Sequence, residues 1–389
     1  MSPSVNIKNL SKSEVTSGIL IIINFILAIL MANTNPLSEY YNKLVFCPIS
    51  FGIGTQAYQT NIISIINDGL MTFFFLLIGL ELKYHLTIGE YTQKKHLTLP
   101  AIAATGGIVM PAFVYLLFNV NETTEQGWAI PIATDTAFII GILSFFHKHI
   151  STSLRAFIIG FSLIDDILAL LILVVFYTQV PNFTAFWFSI AIVCLLLLFN
   201  KLAIKNAAWY LFLGILLWIA MAQAGMHGTL AGAIVALIIP VKTHKTLNPS
   251  FEALENNLRP IVNFYIIPFF VFVNSGIKLE FLSTDIIFSN ISLGIILGLL
   301  IGKPLGIIGF SYIAIKQSWC NLPKDVCWPK FFAIGLLGGI GFTLSLFIGD
   351  MVFETELPNY TMRISIIIGS LLSAFFGILL LYKVTHNKK

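Results

Sequence analysis

Long apolar segments alternate with short polar ones along almost the whole chain. Most apolar segments hold about twenty residues, which as a helix cover a hydrocarbon core of roughly 30 Å. The pattern predicts an all-α membrane protein with about 12 transmembrane helices. The predicted spans cover approximately residues 17–33, 62–82, 98–118, 128–146, 153–177, 184–200, 207–224, 227–240, 258–276, 288–315, 330–350 and 361–382.

Two segments depart from this regular pattern. The span at 227–240 is short, and 34–60 is the only long connection that could hold structure outside the bilayer. The run at 17–33 lacks a small-residue cleavage site, so we expect a retained helix and not a secretory signal. We therefore expect residues 1–389 to form a single polytopic membrane domain.

The composition agrees with a lipid environment, because 57% of the residues are hydrophobic and only 10% are charged. With both termini cytoplasmic, 18 Lys and Arg residues fall on the inner side and only Lys43, Lys278 and Arg363 on the outer side. This asymmetry predicts cytoplasmic termini. The net charge of +4 is thus a topology signal and does not indicate binding to nucleic acid.

Motifs for soluble cofactors are missing from the sequence. There is no P-loop, dinucleotide fingerprint or H-E-x-x-H motif, and the four cysteines include no C-x-x-C pair. A zinc site at Cys320 and Cys327 would need further ligands that the sequence does not offer. We predict no cofactor.

Four charged residues lie in the middle of apolar spans: Asp135, Asp165, Asp166 and Lys303. An ionised side chain at that depth costs several kcal/mol, so each needs a partner or a function. Lys303 is the natural counter-charge for one of the three acids, and the sequence does not say which. A purely structural ion pair remains an alternative for it.

Asp165 and Asp166 are adjacent and lie about thirteen residues from each end of their span. Two carboxylates repel each other in a poorly solvated site, and together they offer hard oxygen ligands to a small cation. Sodium and protons would then compete for the same oxygens, and a site open to one side at a time would exchange them. The structural alternative is that the two acids form buried ion pairs or cap helix ends.

Two spans carry helix-breaking residues. Pro131 precedes the polar run Thr134-Asp135-Thr136 in the fourth span, and four glycines fall within 335–341 in the eleventh. We predict two broken helices that cross at mid-membrane and inverted-topology repeats at approximately 98–177 and 288–382, with the other helices as interface or scaffold. Asp135 would then neutralise helix N-termini and Lys303 helix C-termini. Close helix packing is the alternative explanation for the glycines.

Several motifs in a fixed order resemble the NhaA-type sodium/proton antiporters. They are Thr134-Asp-Thr-Ala-Phe138, Ile164-Asp-Asp-Ile167, Gly225-Met-His-Gly-Thr-Leu-Ala-Gly232, Gly302-Lys-Pro-Leu-Gly306 and Gly338-Gly-Ile-Gly-Phe-Thr343. The similarity extends along most of the chain. This family is itself a known example of inverted-repeat transporters, so the repeats predicted above are not independent of the resemblance.

The resemblance implies a bacterial inner-membrane protein that exports Na+ or Li+ while a larger number of protons enters, driven by the membrane potential. It implies that Asp165 and Asp166 bind the transported ion, with Thr134 and Asp135 beside them and Lys303 as an essential cation. It also implies a pH response in which Glu81, Glu255 and His227 take part. A solvated face for the two glutamates, and a helix-end role for His227, remain alternatives.

Three positions depart from the family pattern. Asn256 and Arg259 stand where histidines are common, and His85 stands where a glutamate is common. An asparagine does not titrate and an arginine stays charged, so the activation pH of relatives does not transfer to this chain.

Two other functions fit parts of the pattern. A sodium-coupled solute symporter would also use broken helices and carboxylates, but it would need a pocket for an organic substrate. An intramembrane aspartyl protease would need its two acids on different helices. We expect Na+, Li+, H+ and membrane lipid as partners, with a homodimer left open.

Overall fold

In the computed structural model most of the chain is helical, which confirms the predicted all-α class. The structure describes residues 7–53, 56–88, 94–146, 150–178, 182–243, 246–324, 326–353 and 355–386. Within these residues, eleven helical segments are long and apolar enough to cross a membrane. The chain is therefore a multi-spanning membrane protein.

The α-helices of the described residues are numbered here in chain order. They are α1 (Ile7–Asn33), α2 (Leu37–Val45), α3 (Ile62–Ser64), α4 (Met71–Thr87), α5 (Lys94–Asn119), α6 (Thr136–Phe145), α7 (Thr152–Phe176), α8 (Phe183–Lys201), α9 (Ala207–Ala224), α10 (Leu230–Ile238), α11 (Pro249–Ile261), α12 (Ile267–Asn274), α13 (Thr284–Ile287), α14 (Asn290–Leu297), α15 (Lys303–Lys316), α16 (Trp328–Gly338), α17 (Phe342–Val352) and α18 (Glu356–His386).

Tighter and wider helical turns connect some of these helices. The 3-10 turns are Glu125–Ile132 and Leu279–Phe281, and the π turns are Ile65–Leu70, Val262–Ile266 and Gly298–Gly302. The π turns join α3 to α4, α11 to α12 and α14 to α15. Each pair is therefore one continuous helical span with a single wide turn, a feature that often marks functional positions.

Local sequence explains several helix boundaries. Asn182, Asn206 and Asn248 each accept a backbone hydrogen bond with the side chain at the start of α8, α9 and α11. Asparagine suits this N-cap position because its side-chain oxygen replaces a missing backbone acceptor. Gly225 ends α9 in the left-handed conformation, with φ of 81°, which glycine adopts without steric cost.

Two short antiparallel hairpins interrupt the helical pattern. Strand β1 (Pro48–Ile53) pairs with β2 (Gln56–Asn61), and β3 (Lys242–Thr243) pairs with β4 (Thr246–Leu247). The first hairpin and α2 lie between residues 37 and 61, so they occupy most of 34–60, the long connection that could hold structure outside the bilayer. The hairpins themselves are not evident from the sequence pattern.

The eighth predicted span, 227–240, is helical over only part of its length. In place of a span over 227–240, the structure has α10, which is nine residues long. Turns occupy 225–229, and α10 ends just before Pro240, which cannot donate a backbone hydrogen bond. At 1.5 Å per residue α10 covers only about 14 Å, less than a bilayer core. It is not among the eleven candidate spans of the described residues, a number that agrees with the predicted total of about 12.

The chain divides into two compact units. The first comprises Met1–Ile29, Gln93–Ala169 and Ile277–Lys389, and the second comprises Leu30–Thr92 and Leu170–Gly276. The two segments predicted to be repeats fall largely within the first unit. Their inverted relation stays a prediction.

Both spans with predicted breaks lose their helical backbone where the breaks were expected. The 3-10 turn ends at Ile132, residues 133–135 are extended, and α6 begins at Thr136. Likewise α16 ends at Gly338 and α17 begins at Phe342. The backbone N–H of Asp135 donates to the carbonyl of Ile340 at 2.6 Å, so the two interruptions are in direct contact. A crossing at mid-membrane stays a prediction.

Glycines bring α5 and α15 into backbone contact in the first unit. A Cβ at Gly106 would overlap the carbonyl of Gly306, and a Cβ at Gly306 would overlap the carbonyl of Gly106. A Cβ at Gly107 would lie 3.6 Å from Cε of Lys303. Small residues allow such close approach of membrane helices, and here they fix the position of the lysine along α5.

Candidate functional site

Asp165 and Asp166 lie near the centre of the 25-residue helix α7. Asp165 is fully buried and Asp166 is 7% exposed. Burying an unpaired carboxylate is costly, so such groups normally have a cationic or hydrogen-bonding partner. The prediction that both acids lie mid-helix is confirmed by the helix bounds.

Lys303 is the partner of Asp165. Its ammonium lies 2.8 Å from Oδ2 of Asp165, and both side chains are almost completely buried. Nζ also donates to the backbone carbonyl of Ile132, the last residue of the 3-10 turn before the first interruption. The lysine thus pairs with one acid and caps a helical C-terminus, as the sequence predicted for its charge.

Asp135 accepts hydrogen bonds at the N-termini of two helices. Its Oδ1 accepts from the N–H of Phe138 at 3.4 Å, near the start of α6. Its Oδ2 accepts from the N–H and the hydroxyl of Thr343, at 3.1 and 2.6 Å, near the start of α17. A carboxylate at two helix N-termini neutralises their partial positive charges, as predicted for this residue.

Thr134 links the two interruptions a second time. Its hydroxyl donates to the carbonyl of Gly338, the last residue of α16, at 3.1 Å. The same hydroxyl lies beside the carboxyl group of Asp165. The structure therefore brings four predicted residues, Thr134, Asp135, Asp165 and Lys303, into one connected set of contacts. Asp166 follows directly in α7.

Oxygen atoms dominate this set. Besides the two adjacent carboxylates, it offers the Thr134 hydroxyl and the backbone carbonyls at the interruptions. Oδ1 of Asp165 is buried and accepts no hydrogen bond from the described residues. Those residues contain no group of three or more His, Cys, Asp or Glu side chains that could hold a metal ion. The other oxygens beside the two carboxylates belong to hydroxyls and backbone carbonyls, which are ligand types that hard cations accept.

The sequence analysis missed Thr343 and the carbonyl of Ile132. Thr343 belongs to the hydroxyl-containing stretch after the glycine run, and that position was a usable signal for a partner of Asp135. The carbonyl of Ile132 carries no side-chain signal. Its role follows only from the place where the 3-10 turn ends.

The glycine run of 335–341 fits both explanations given for it. It coincides with the interruption between α16 and α17. It also packs closely, because a Cβ at Gly338 would lie 2.8 Å from Cδ1 of Ile307. Close packing and helix breaking therefore occur together here.

The two glutamates proposed for a pH response share one arginine in the second unit. Arg259 lies 3.0 Å from Oε1 of Glu81 on α4 and 2.6 Å from Oε1 of Glu255 on α11. The side chain of Glu255 is 11% exposed and that of Glu81 is 23% exposed. Glu255 is therefore largely buried, whereas Glu81 is partly exposed. His85 is close enough to Arg259 for an electrostatic interaction with its positive charge.

His227 lies in the turn between α9 and α10. It is hydrogen-bonded to the backbone carbonyl of Tyr177. This position agrees with the helix-end alternative. A part in a pH response stays a prediction.

The family of the chain follows from comparison with known proteins. Residues 8–381 match the family model described as Na+/H+ antiporter 1. The chain belongs to this Na+/H+ antiporter family. It is 52% identical to the Na(+)/H(+) antiporter NhaA of Rickettsia massiliae over 393 residues, which cover 100% of this chain and 97% of that protein.

More distant bacterial antiporters match the full length as well. The NhaA protein of Campylobacter curvus is 38% identical over 99% of this chain and 97% of its own length. That of Photorhabdus laumondii is 39% identical over 98% of this chain and 99% of its own length. Together with the apolar helices, these relatives indicate that this antiporter is a multi-pass protein of the bacterial inner membrane.

Replacing Lys303 in this antiporter with Met leaves Asp165 buried without its cation. Removal of one partner of a buried pair costs about 3–5 kcal/mol, so thermal unfolding in detergent should occur at a clearly lower temperature. Adding Asp165→Asn to Lys303→Met should recover much of this loss.

The matched control adds Asp166→Asn to Lys303→Met. Because Lys303 bonds to Asp165, this second combination should recover much less stability than the first. Equal recovery by both combinations would show that the lysine does not prefer Asp165.

Proposed function

We propose that the chain exchanges Na+ for H+ through competition of the two ions for Asp165 and Asp166. The observation that carries this proposal is the buried pair of Asp165 with Lys303 beside two contacting helix interruptions. Family membership gives the class of reaction. The site residues are our assignment.

Competition follows from charge. The ammonium group of Lys303 lies 2.8 Å from the carboxylate of Asp165, and both side chains are shielded from solvent. A sodium ion that binds Asp165 and Asp166 adds a second positive charge next to that ammonium. In a poorly screened site this repulsion favours loss of a proton from the carboxyl pair or from Lys303. Sodium entry thus drives proton release, and protonation drives sodium release.

The interruptions give the site its shape. Thr134 supplies a hydroxyl beside Asp165, and the backbone at the breaks exposes carbonyls that a continuous helix would use internally. Asp135 serves a positioning role, because its hydrogen bonds join the start of α6 to the start of α17. Movement of these joined segments would open the site to one side at a time.

Direction and energetics are part of the proposal. The excess of Lys and Arg on one side of the predicted topology supports cytoplasmic termini. Sodium or lithium then leaves the cytoplasm while protons enter. If more protons enter than cations leave, the exchange is electrogenic and driven by the membrane potential. Lipid surrounds the exposed apolar helix faces, and a homodimer remains an expectation.

Asp165→Asn and Asp166→Asn each test the proposed shared site. An amide binds neither a proton nor Na+ in the manner of a carboxylate, so each variant should lose Na+-dependent proton movement in proteoliposomes from about pH 6.5 to about pH 9. Folding is checked by thermal unfolding and gel filtration.

Asp350→Asn is the matched control. Asp350 is also an acid in the first unit, but it pairs with Arg363 at 2.6 Å and is absent from the described contacts of the site. This variant should retain exchange. Full exchange by either folded Asp165 or Asp166 variant would refute the shared site, and solute-coupled uptake of Na+ would point to a symporter.

We further propose that Arg259 holds Glu81 and Glu255 paired over the physiological pH range. Arginine stays protonated far above neutral pH, so α4 and α11 remain connected as pH rises. A histidine at this position would lose its charge near neutral pH. The activity of this chain should therefore depend less steeply on pH than that of an Arg259→His variant.

The prediction for Arg259→His is a steeper change of exchange rate between about pH 6 and about pH 8 than in the native protein. Arg259→Lys, which keeps the charge, is the control and should follow the native pH profile. Identical profiles for all three proteins would rule out a role for this ion-pair cluster in the pH response.

A further inference from the structure

Ser162 lies on α7, one turn before the two aspartates. It is 1% exposed, and its hydroxyl has no hydrogen-bond partner within the described residues. A buried polar group without a partner costs free energy, so a native protein keeps one mainly where it has a use. The established activity assigns no role to this side chain.

The hydroxyl had a partner available within its own helix. Serine and threonine in membrane helices commonly donate to the carbonyl four residues earlier. In this chain Ser189 donates to Ala185 at 3.0 Å, and Ser365 donates to Thr361 at 2.6 Å. Ser162 does not form this bond, so its lone pairs and its proton both remain available.

Helix geometry places this hydroxyl on the face of the carboxylates. Ser162 precedes Asp165 by three residues and Asp166 by four, the two spacings that share a face. Helical side chains lean toward the N-terminus, so both aspartate side chains lean toward the turn of Ser162. Oδ1 of Asp165 is buried and also accepts no hydrogen bond from the described residues. Two unsatisfied oxygens therefore lie one turn apart on the same face.

We propose that Oγ of Ser162 is a ligand of the transported cation, together with Asp165 and Asp166. This inference rests on the carboxylate site proposed above and adds a neutral ligand to it. A hard cation accepts hydroxyl and carboxylate oxygens alike. One sodium or lithium ion between the two turns would satisfy both oxygens at once.

A neutral ligand has a distinctive effect on exchange. A carboxylate binds either a proton or a cation, whereas a hydroxyl coordinates the cation but does not bind a second proton at physiological pH. Loss of the hydroxyl should therefore weaken cation binding and leave proton binding unchanged. Loss of a carboxylate should impair both.

The test measures initial exchange rates in proteoliposomes against Na+ and Li+ concentration for the native protein and Ser162→Ala. The variant should raise KM for Na+ roughly three- to tenfold, the loss expected for one oxygen ligand, with the maximal rate within about twofold of native. The pH profile at saturating Na+ should be unchanged. Ser162→Thr, which keeps a hydroxyl, should return KM close to native.

Ser311→Ala is the matched control. Ser311 is also fully buried with an unsatisfied hydroxyl, but it lies eight residues after Lys303 on α15, about 12 Å along the helix. Its KM should be native. Ser162→Cys, which keeps the volume but offers a soft sulfur, should raise KM as alanine does, and it covers the case in which alanine disturbs folding.

Thermal unfolding gives a second readout that does not depend on transport. Without Na+, Ser162→Ala should be at least as stable as the native protein, because the lost hydroxyl had no protein partner and its burial was costly. The rise in unfolding temperature on adding Na+ should be smaller than in the native protein.

The outcomes separate this inference from the proposed site. A native KM and a native Na+-dependent stabilisation in Ser162→Ala, with exchange lost in Asp165→Asn and Asp166→Asn, would overturn the role of Ser162 alone. Retained exchange in the folded aspartate variants would overturn the carboxylate site itself.

Discussion

The ammonium group of Lys303 joins parts of the chain that are far apart in sequence. It bonds to Asp165 in the middle of α7 and to the carbonyl of Ile132 where the first interruption begins. Its own position is fixed by the glycine contacts that let α15 approach α5. Pairing with this cation offsets part of the cost of burying the Asp165 carboxyl group in an apolar interior. Under the proposed exchange, a sodium ion that binds beside Lys303 would act on its contact at the interruption as well as on the carboxylate.

The interrupted backbone depends on burial for a different reason. Free N–H and C=O groups are not tolerated against lipid, but they are tolerated inside protein. In the most apolar stretch of the span Trp328–Val352, 89% of the residues are buried. The corresponding share in the span Phe183–Lys201 is 17%. Asp135 and Thr134 then satisfy much of the exposed backbone near the breaks. These contacts join the two interruptions directly.

Most of the fold could be predicted from sequence, because only long apolar helices can cross the lipid core in such a chain. Part of the site could be predicted because a charged residue in the middle of a span is costly and therefore has a partner or a function. Asp165, Asp166 and Lys303 were found in this way. The partner of Lys303 could not be predicted, since it depends on how α7 and α15 are placed against each other in the fold, which the sequence pattern does not show. The eighth predicted span is longer than α10, because hydropathy does not show the turns of 225–229. Ser162 escaped notice because a serine in a helix usually bonds to its own backbone, and only the structure shows that this one does not.

The central claim is that Na+ and protons compete for one buried carboxylate pair. In the most direct test, NaCl is added to the purified, weakly buffered protein in detergent at about pH 8, and a pH indicator records proton release. Choline chloride is the control. The account predicts that Na+ releases protons from the native protein and that choline does not. It also predicts that the release disappears in both folded aspartate-to-asparagine variants. Saturable Na+ binding to the native protein without proton release would contradict the account.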